Sequence, residues 1–262
     1  MDTLAVIESD PETLASAIEA AALHDEAGEA NQEMFVRLTD TAIETPASAT
    51  DATQASYCTL RAARFDRLDV TAPTSVDAMF DIETFLGWLA WFATDRVTVR
   101  FRGARRVVTE LVISAGRDEV VVDCPDDPAV LEAVETSLPE RFADTQFLDG
   151  DGNPMATTVE TTAAELGRLV DAVGLADSEA GYPLVVRDGH LVVDVDGEGA
   201  SATAPLDATI DGPAVTNHYG PDFAAVVRGL SGPVTLQTGP GEPVAFVQSA
   251  PEYTLRFVVA DA

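Results

Sequence analysis

Two stretches of this chain carry one pattern: DPETLASAIEAAALHDEA at residues 10–27 and TAAELGRLVDAVGLADSEA at residues 162–180. In the first, Leu14, Ala17, Ile18 and Ala21 fall on a single stripe; in the second, Leu166, Leu169, Val170 and Val173 do the same. Both have the i, i+3, i+4, i+7 spacing of an amphipathic helix with one buried face. The elements after each copy also repeat in order: paired strands, a polar stretch, a second helix, more strands. The period is far longer than the roughly 20–50 residues of a solenoid, so it reads as two similar domains in tandem.

Composition narrows the class. The 262 residues carry 45 acidic and 15 basic side chains, for a formal net charge of −30, and every basic residue is arginine. With 46% hydrophobic residues the chain is too apolar for an acidic disordered protein. Molar salt, which screens charge to about 3 Å, would tolerate so acidic a surface, and this balance points to a halophilic archaeon or a virus of one. Residues 1–30 lack a basic segment leading into an apolar run, and no stretch has the length and hydropathy of a membrane span, so the expected location is the cytoplasm. Cys58 and Cys124 lack metal-ligand spacing and read as small buried hydrophobes.

Along the first half, Leu4–Glu8 reads as a strand and Asp10-Pro11-Glu12 as a helix start, with an acceptor at the cap and proline in the first turn. Met34–Leu38 and Ile43–Thr45 alternate around Thr39-Asp40-Thr41 as a hairpin. Ser56–Leu60 is a strand, and Val76–Phe80 leads into a helix from Asp81 to about Ala93. Strands follow at Arg96–Arg102, Val107–Ser114 and Glu119–Cys124. Residues 125–154, with Pro125, Pro128, Pro139 and the run Asp149–Pro154, are loop chemistry with one short helix around Ala129–Thr136. The second half then has a strand at Ala156–Glu160, a helix at Thr161–Leu175, strands Pro183–Arg187 and His190–Val195 about Asp188-Gly189, a helix from Gly220-Pro221 to Leu230, and strands at Val234–Thr238, Val244–Ser249 and Thr254–Val259. The expected fold class is α+β, each domain having two helices packed on antiparallel sheets, with boundaries at 1–124, a linker over 125–154, and 155–262.

This succession resembles the archaeal and eukaryotic DNA sliding clamps of the proliferating cell nuclear antigen family. The matching runs are YCTLRAARFDRL, VDAMFDIETFLGWLAWFATDRVTVRF and ELVISAGRDEVVVDCPDDP in the first half. In the second they are VRDGHLVVDVDGEGASATAPL and PVTLQTGPGEPVAFVQSAPEYTLRFVVADA. The resemblance implies a ring of head-to-tail copies, a homotrimer in high salt, with the helices lining a hole that holds duplex DNA. It implies a processivity factor, not an enzyme, whose partners are a DNA polymerase, other clamp-binding proteins and a clamp loader. No cofactor, metal or membrane is implied. The alternative is a diverged clamp-fold paralogue that binds proteins without closing on DNA.

The resemblance also places sites. The subunit interface falls on Glu119, Val120, Val121, Val122 and Asp123 of one copy. Its partner strand in the next copy is His190, Leu191, Val192, Val193, Asp194 and Val195. There Asp118, Glu119 and Asp123 would meet Asp194 and Asp196, and low salt would expose their repulsion. The partner-peptide groove falls on Pro46, Ser48 and Thr53 in the loop Pro46–Gln54, on Val130, Leu131 and Val134 in the linker, and on Val259 and Ala260 in the tail. Clamp holes are basic because phosphates dominate DNA affinity, yet Arg168 and Arg228 are the only basic residues on the helices. Each is either a phosphate contact or a solvated charge. Phe85, Trp88, Trp91 and Phe92 are expected to be mostly core.

Enzyme signals are weak. His24, His190 and His218 lack metal spacing, and the glycine-rich and nucleophile-elbow motifs are missing. Asp149, Asp151, Asn153 and Glu160 match ligand positions of a calcium loop, but Pro154 stands where glycine is needed, so an acidic linker is expected.

Overall fold

A computed structural model describes residues 1–22, 33–48, 53–71, 75–125, 139–176, 181–197 and 200–261. The first half runs β1 (Asp2–Ser9), α1 (Pro11–Ala21), β2 (Glu33–Leu38), β3 (Ala42–Ser48), β4 (Gln54–Arg61), β5 (Arg67–Val70), β6 (Val76–Asp81), α2 (Ile82–Trp91), β7 (Val97–Ala104), β8 (Val107–Ala115) and β9 (Asp118–Asp123). A small hairpin follows, β10 (Phe142–Ala143) and β11 (Gln146–Phe147). The second half runs β12 (Thr157–Thr162), α3 (Ala163–Ala176), β13 (Tyr182–Arg187), β14 (His190–Asp196), β15 (Ser201–Leu206), β16 (Thr209–Asp211), β17 (Val215–Tyr219), α4 (Pro221–Gly229), β18 (Pro233–Thr238), β19 (Val244–Ala250) and β20 (Tyr253–Val259).

The repeat extends to strand pairing. In the first half β5–β1–β7–β8–β9 and β6–β2–β3–β4 are neighbours; in the second, β16–β12–β18–β19–β20 and β17–β13–β14–β15 are. Pairing is antiparallel apart from one parallel bridge between β6 and β8. A row of buried side chains crosses each set at the same register. Val76, Leu38, Ile43 and Leu60 form one row; Val215, Val186, Leu191 and Leu206 form the other.

Helices α1 and α2 start where the sequence supplies side-chain caps. Asp10 accepts a hydrogen bond from Thr13 N at 2.8 Å, and Asp81 accepts one from Thr84 N at 2.6 Å. Those bonds hold both carboxyls below the ordinary aspartate value. Asp10→Ala and Asp81→Ala should each destabilise the fold by about 1 kcal/mol in denaturant titrations. Because the folded value lies below the unfolded one, each contribution is complete above the unfolded pKa and disappears as pH falls through the folded pKa. The effect of either substitution should therefore vanish in acid.

Besides β15, β16 and β17, which the sequence pattern does not mark, two features were not expected from sequence. The polar run after β4 contains a 3₁₀ turn at Ala62–Arg64 and then β5, which lines up on β1. Within the linker, Pro139–Arg141 forms a 3₁₀ turn leading into the β10–β11 hairpin; the helix expected around Ala129–Thr136 lies outside the described residues. The hairpin is pinned from below. Phe147 N donates to Gln237 Oε1, and Gln237 Nε2 donates to Thr145 O at 2.8 Å. The buried Arg256 donates from Nε and Nη2 to Asp144 O at 3.1 and 3.0 Å, and its guanidinium lies over the Tyr57 and Phe142 rings.

A buried polar knot ties the β18–β19 turn to β17. Asn217 Nδ2 donates to Gly239 O at 2.8 Å, Asn217 Oδ1 accepts from Gly241 N at 3.0 Å, and the Tyr219 hydroxyl lies 3.0 Å from Thr238 Oγ1.

Candidate functional site

The four helices among the described residues form one layer against the sheets. α3 packs on α4 and α1 on α2, and a cleft of about 320 Å³ between α4 and α1 is lined by Ser16, Glu19, Ala225, Val226 and Gly229 among others. The layer therefore runs α3–α4–α1–α2. Its solvent face is acidic: Glu12 and Glu19 on α1, Glu83 on α2 and Asp171 on α3 are exposed. Against them stand the two arginines read as phosphate contacts. Both are exposed. Arg168 is already committed, its Nη1 lying 2.7 Å from Glu165 Oε2. Arg228 sits in the last turn of α4, where a cation suits the helix dipole. The two are on neighbouring helices.

The aromatic cluster divides. Phe85 and Phe92 are core, as expected, whereas Trp88 is 36% and Trp91 57% exposed, edge to face at 5.8 Å. Helical phase explains the split: residues 82, 85, 89 and 92 take the core side of α2, leaving 88 and 91 outside it.

The sheets present open edges. Among the described residues β9 pairs only with β8, and β15 only with β14. Their counterparts in the repeat, β20 and β4, are joined to each other inside the chain over seven residue pairs, from Tyr253↔Leu60 to Val259↔Gln54. That ladder joins β16–β12–β18–β19–β20 to the strands of the first half in one 14-stranded sheet, while β15–β14–β13–β17 form a sheet of their own. The expected interface strand His190–Val195 needs correction. It is β14, flanked on both sides by β13 and β15, so its backbone donors and acceptors are already used and it cannot add a strand from another copy. The free edge is one strand further out, at Ser201–Leu206. Asp194 is held there by Thr203 Oγ1 and Arg187, and the residues facing outward are uncharged, so the expected clash of Asp118, Glu119 and Asp123 with Asp194 and Asp196 is not made across adjacent strands.

Solved structures share this architecture over the whole chain. The proliferating cell nuclear antigen of Entamoeba histolytica aligns with TM-score 0.72 at 9% identity, covering 100% of both chains. That of Thermococcus kodakaraensis aligns with TM-score 0.71 at 16% identity, covering 98% of this chain and all of the other. That of A. fulgidus, solved with the C-terminal region of FEN-1 bound, aligns with TM-score 0.70 at 10% identity, covering 99% and 98%. The chain has the sliding-clamp fold. No protein-family model matches the sequence, and a search of curated proteins finds no relative.

In this clamp fold the described groove residues, Pro46, Thr53, Val259 and Ala260, do not line one apolar pocket among themselves. Pro46–Ser48 continue β3 instead of opening a loop, and Pro46 is buried opposite Tyr57. Thr53 Oγ1 donates to Asp222, and Gln54 Nε2 donates to the same carboxylate at 3.2 Å, tying the start of β4 to α4. Val259 is 1% exposed and belongs to the core under the helices, because alternate β20 residues face inward. Ala260 donates its N–H to Thr53 O. Val130, Leu131 and Val134 lie outside the described residues. The outer face of the β4–β20 junction is instead covered by the β10–β11 hairpin, where Phe147, Met155 and Ala245 pack with Ala55, Tyr57, Phe142 and Val258.

Other candidates resolve plainly. The Asp149 carboxylate accepts from Asp151 N at 2.9 Å and Asn153 N at 2.8 Å, closing a turn on itself, while Glu160 sits in β12. Among the described residues no three His, Cys, Asp or Glu side chains converge as for a metal. Cys58 and Cys124 are buried free thiols, both pushed up to about 12 chiefly by burial, and so are unreactive. His190 and His218 are exposed on β14 and β17, and His24 lies outside the described residues. Among the described residues no helix is long and apolar enough to cross a membrane.

Proposed function

We propose that this protein is a sliding clamp: copies join head to tail into a ring, a homotrimer in high salt, that encircles duplex DNA and tethers a DNA polymerase and other clamp-binding proteins after a loader has closed it. The observation that carries the proposal is the internal β20–β4 ladder. Since β9 and β15 hold the same positions in the repeat, the junction between halves can be made again between copies, β9 against β15. A heterologous contact of this kind closes into a ring or grows as a filament, and an open edge seeks a partner. The complex of A. fulgidus proliferating cell nuclear antigen with FEN-1 supports protein partners as the cargo. In this reading residues 1–124 and 155–262 are the clamp domains, joined by the linker 125–154, and the protein works in a salt-rich cytoplasm.

The hole would attract DNA little. Two arginines among acids release few counterions, and molar salt removes most of that gain. Topological linkage then does the holding, and contact with phosphate is weak and sequence-independent. The acidic helix face also favours a second reading, a clamp-fold ring or module that tethers proteins without DNA. Loading onto nicked circular DNA in molar salt, with the cognate loader and ATP, separates them. A clamp should stay on the circle through gel filtration and leave when the DNA is linearised. Retention no better on circles than on linear DNA would select the second reading.

A further inference from the structure

Trp88 and Trp91 are exposed on α2. We infer that they pack against α3 of the neighbouring copy, and that Arg168 meets their indoles there instead of a DNA phosphate. The inference rests on the ring assembly proposed above and names the contacts of its helical layer.

The helices align between halves by their buried residues. Phe85, Leu89 and Phe92 match Phe223, Val227 and Leu230, all buried. This register sets Trp88 against Val226 and Trp91 against Gly229. Val226 and Gly229, with Ala225, are the α4 residues that line the junction between halves, where small side chains leave the cleft of about 320 Å³. On the partner side, Leu14, Ala17, Ile18 and Ala21 match Leu166, Leu169, Val170 and Val173, so Ser16 and Ala20 correspond to Arg168 and Ala172. If β9 and β15 repeat the internal ladder, α2 and α3 repeat the α4–α1 contact. Two indoles then occupy the positions where the internal junction has valine and glycine, opposite the stripe Arg168, Ala172, Leu175.

Exposure supports this partner. Among the described residues the exposed large hydrophobics are Met1, Trp88, Trp91, Val121 and Leu175. Trp88 and Trp91 lie on α2 and Val121 on β9, at one end of the molecule; Leu175 lies on α3 at the other. An apolar set divided between two complementary ends fits a second copy of the chain. An arginine can hold a carboxylate and stack on an aromatic face at once, so the bond from Arg168 to Glu165 need not break.

The strand ladder shows why a seam needs them. In the internal ladder Arg61 N donates to Glu252 O and Ala260 N donates to Thr53 O, each at 2.8 Å; odd residues of β4 and even residues of β20 thus face the junction. Across the row of buried residues Leu206 matches Leu60, and across the hairpins Asp118 matches Tyr253. The outward donors matching Thr59, Arg61 and Ala260 are then Pro205, Asp207 and Pro125. The two prolines have no N–H, and Asp207 N is taken by Glu165 Oε2 at 3.1 Å. The seam has lost three of the donors that bind the halves of the chain, and cohesion moves to the helical layer.

The chain has only two tryptophans, so its emission reports on this contact. Ring and monomer populations are set by dilution in molar salt, with light scattering for mass and tryptophan emission read on the same samples. The expected result is a shift to shorter wavelength that follows ring formation, and a loss of assembly by Trp91→Ser of about tenfold or more in dissociation constant. The monomer's thermal unfolding should be unchanged by Trp91→Ser, and Arg168→Gln should weaken assembly in the same assay. Rings that form with emission unchanged, or emission that responds to duplex DNA but not to assembly, would overturn the inference and leave the clamp reading standing. A monomer at every concentration would overturn the ring itself.

Discussion

Val121→Pro should yield a folded monomer. Backbone alternation decides this outcome. Cys124 N donates to Thr109 O of β8, so the even residues of β9 face β8 and the odd ones face out. In a single chain the Val121 N–H points away from the sheet, and proline is tolerated at such an edge position. In the ring, Val121 stands opposite Thr203, at the centre of the donors that remain. Proline there removes a donor and crowds the approaching strand. The cost at each seam is about 2–3 kcal/mol, or roughly 30- to 150-fold in dissociation constant. Sedimentation in molar salt should show a monomer where the parent forms rings, with a thermal midpoint close to the parent's. Val120→Pro is the contrast. Its N–H faces β8, so it should damage the fold itself. If Val121→Pro still forms rings at the parent's concentration, β9 is not the seam.

Asn217→Ala should be the most damaging single change among the buried polar residues, at about 2–4 kcal/mol. Asn217 is 3% exposed and is the only side chain that both accepts from Gly241 N and donates to Gly239 O. Alanine removes the hydrogen bonds that the buried amide makes to the turn, each worth about 0.5–1.5 kcal/mol; Gly239 O keeps Glu242 N at 3.1 Å, and Gly241, which is exposed, can turn its N–H to solvent. The Tyr219 hydroxyl keeps Thr238, so the damage stays local to the β18–β19 turn. Urea unfolding should show a lower midpoint with an unchanged slope. A loss below about 0.5 kcal/mol would mean that the turn rearranges to recover its bonds.

How much of this was legible in the sequence depends on the scale of the signal. The helix stripes of α1 and α3, the cap at Asp10, and the hairpins around Asp40 and Asp188-Gly189 follow from local chemistry and stand where read. Short strands were not legible: β5 and the β10–β11 hairpin hold too few residues for a period of two to register. Which strand becomes an edge was not legible either. His190–Val195 has the stronger β-pattern, and it is stronger because β14 is interior and buried. Ser201–Leu206 looks like a loop because an edge strand keeps small, polar residues and a proline. The same reasoning misplaced Val259, where alternation of one residue separates a groove wall from the core. The exposure of Trp88 and Trp91 was written in the helical phase of α2, but an aromatic cluster is usually core, and only the repeat alignment with Val226 and Gly229 shows why these two are different.

The β10–β11 hairpin, riveted across the junction of the halves by Gln237 and Arg256, has a mechanical consequence. Inside the chain, the joint between halves is reinforced on its outer side by this brace and through its thickness by a full strand ladder. Among the described residues nothing braces β9 and β15 in the same way. A closed ring of such chains is an alternation of stiff and compliant joints, and a load applied to elastic elements in series is taken up as displacement by the softest. Each chain would then swing as one rigid arc, and an opening force would be spent at a single gap instead of bending every subunit a little.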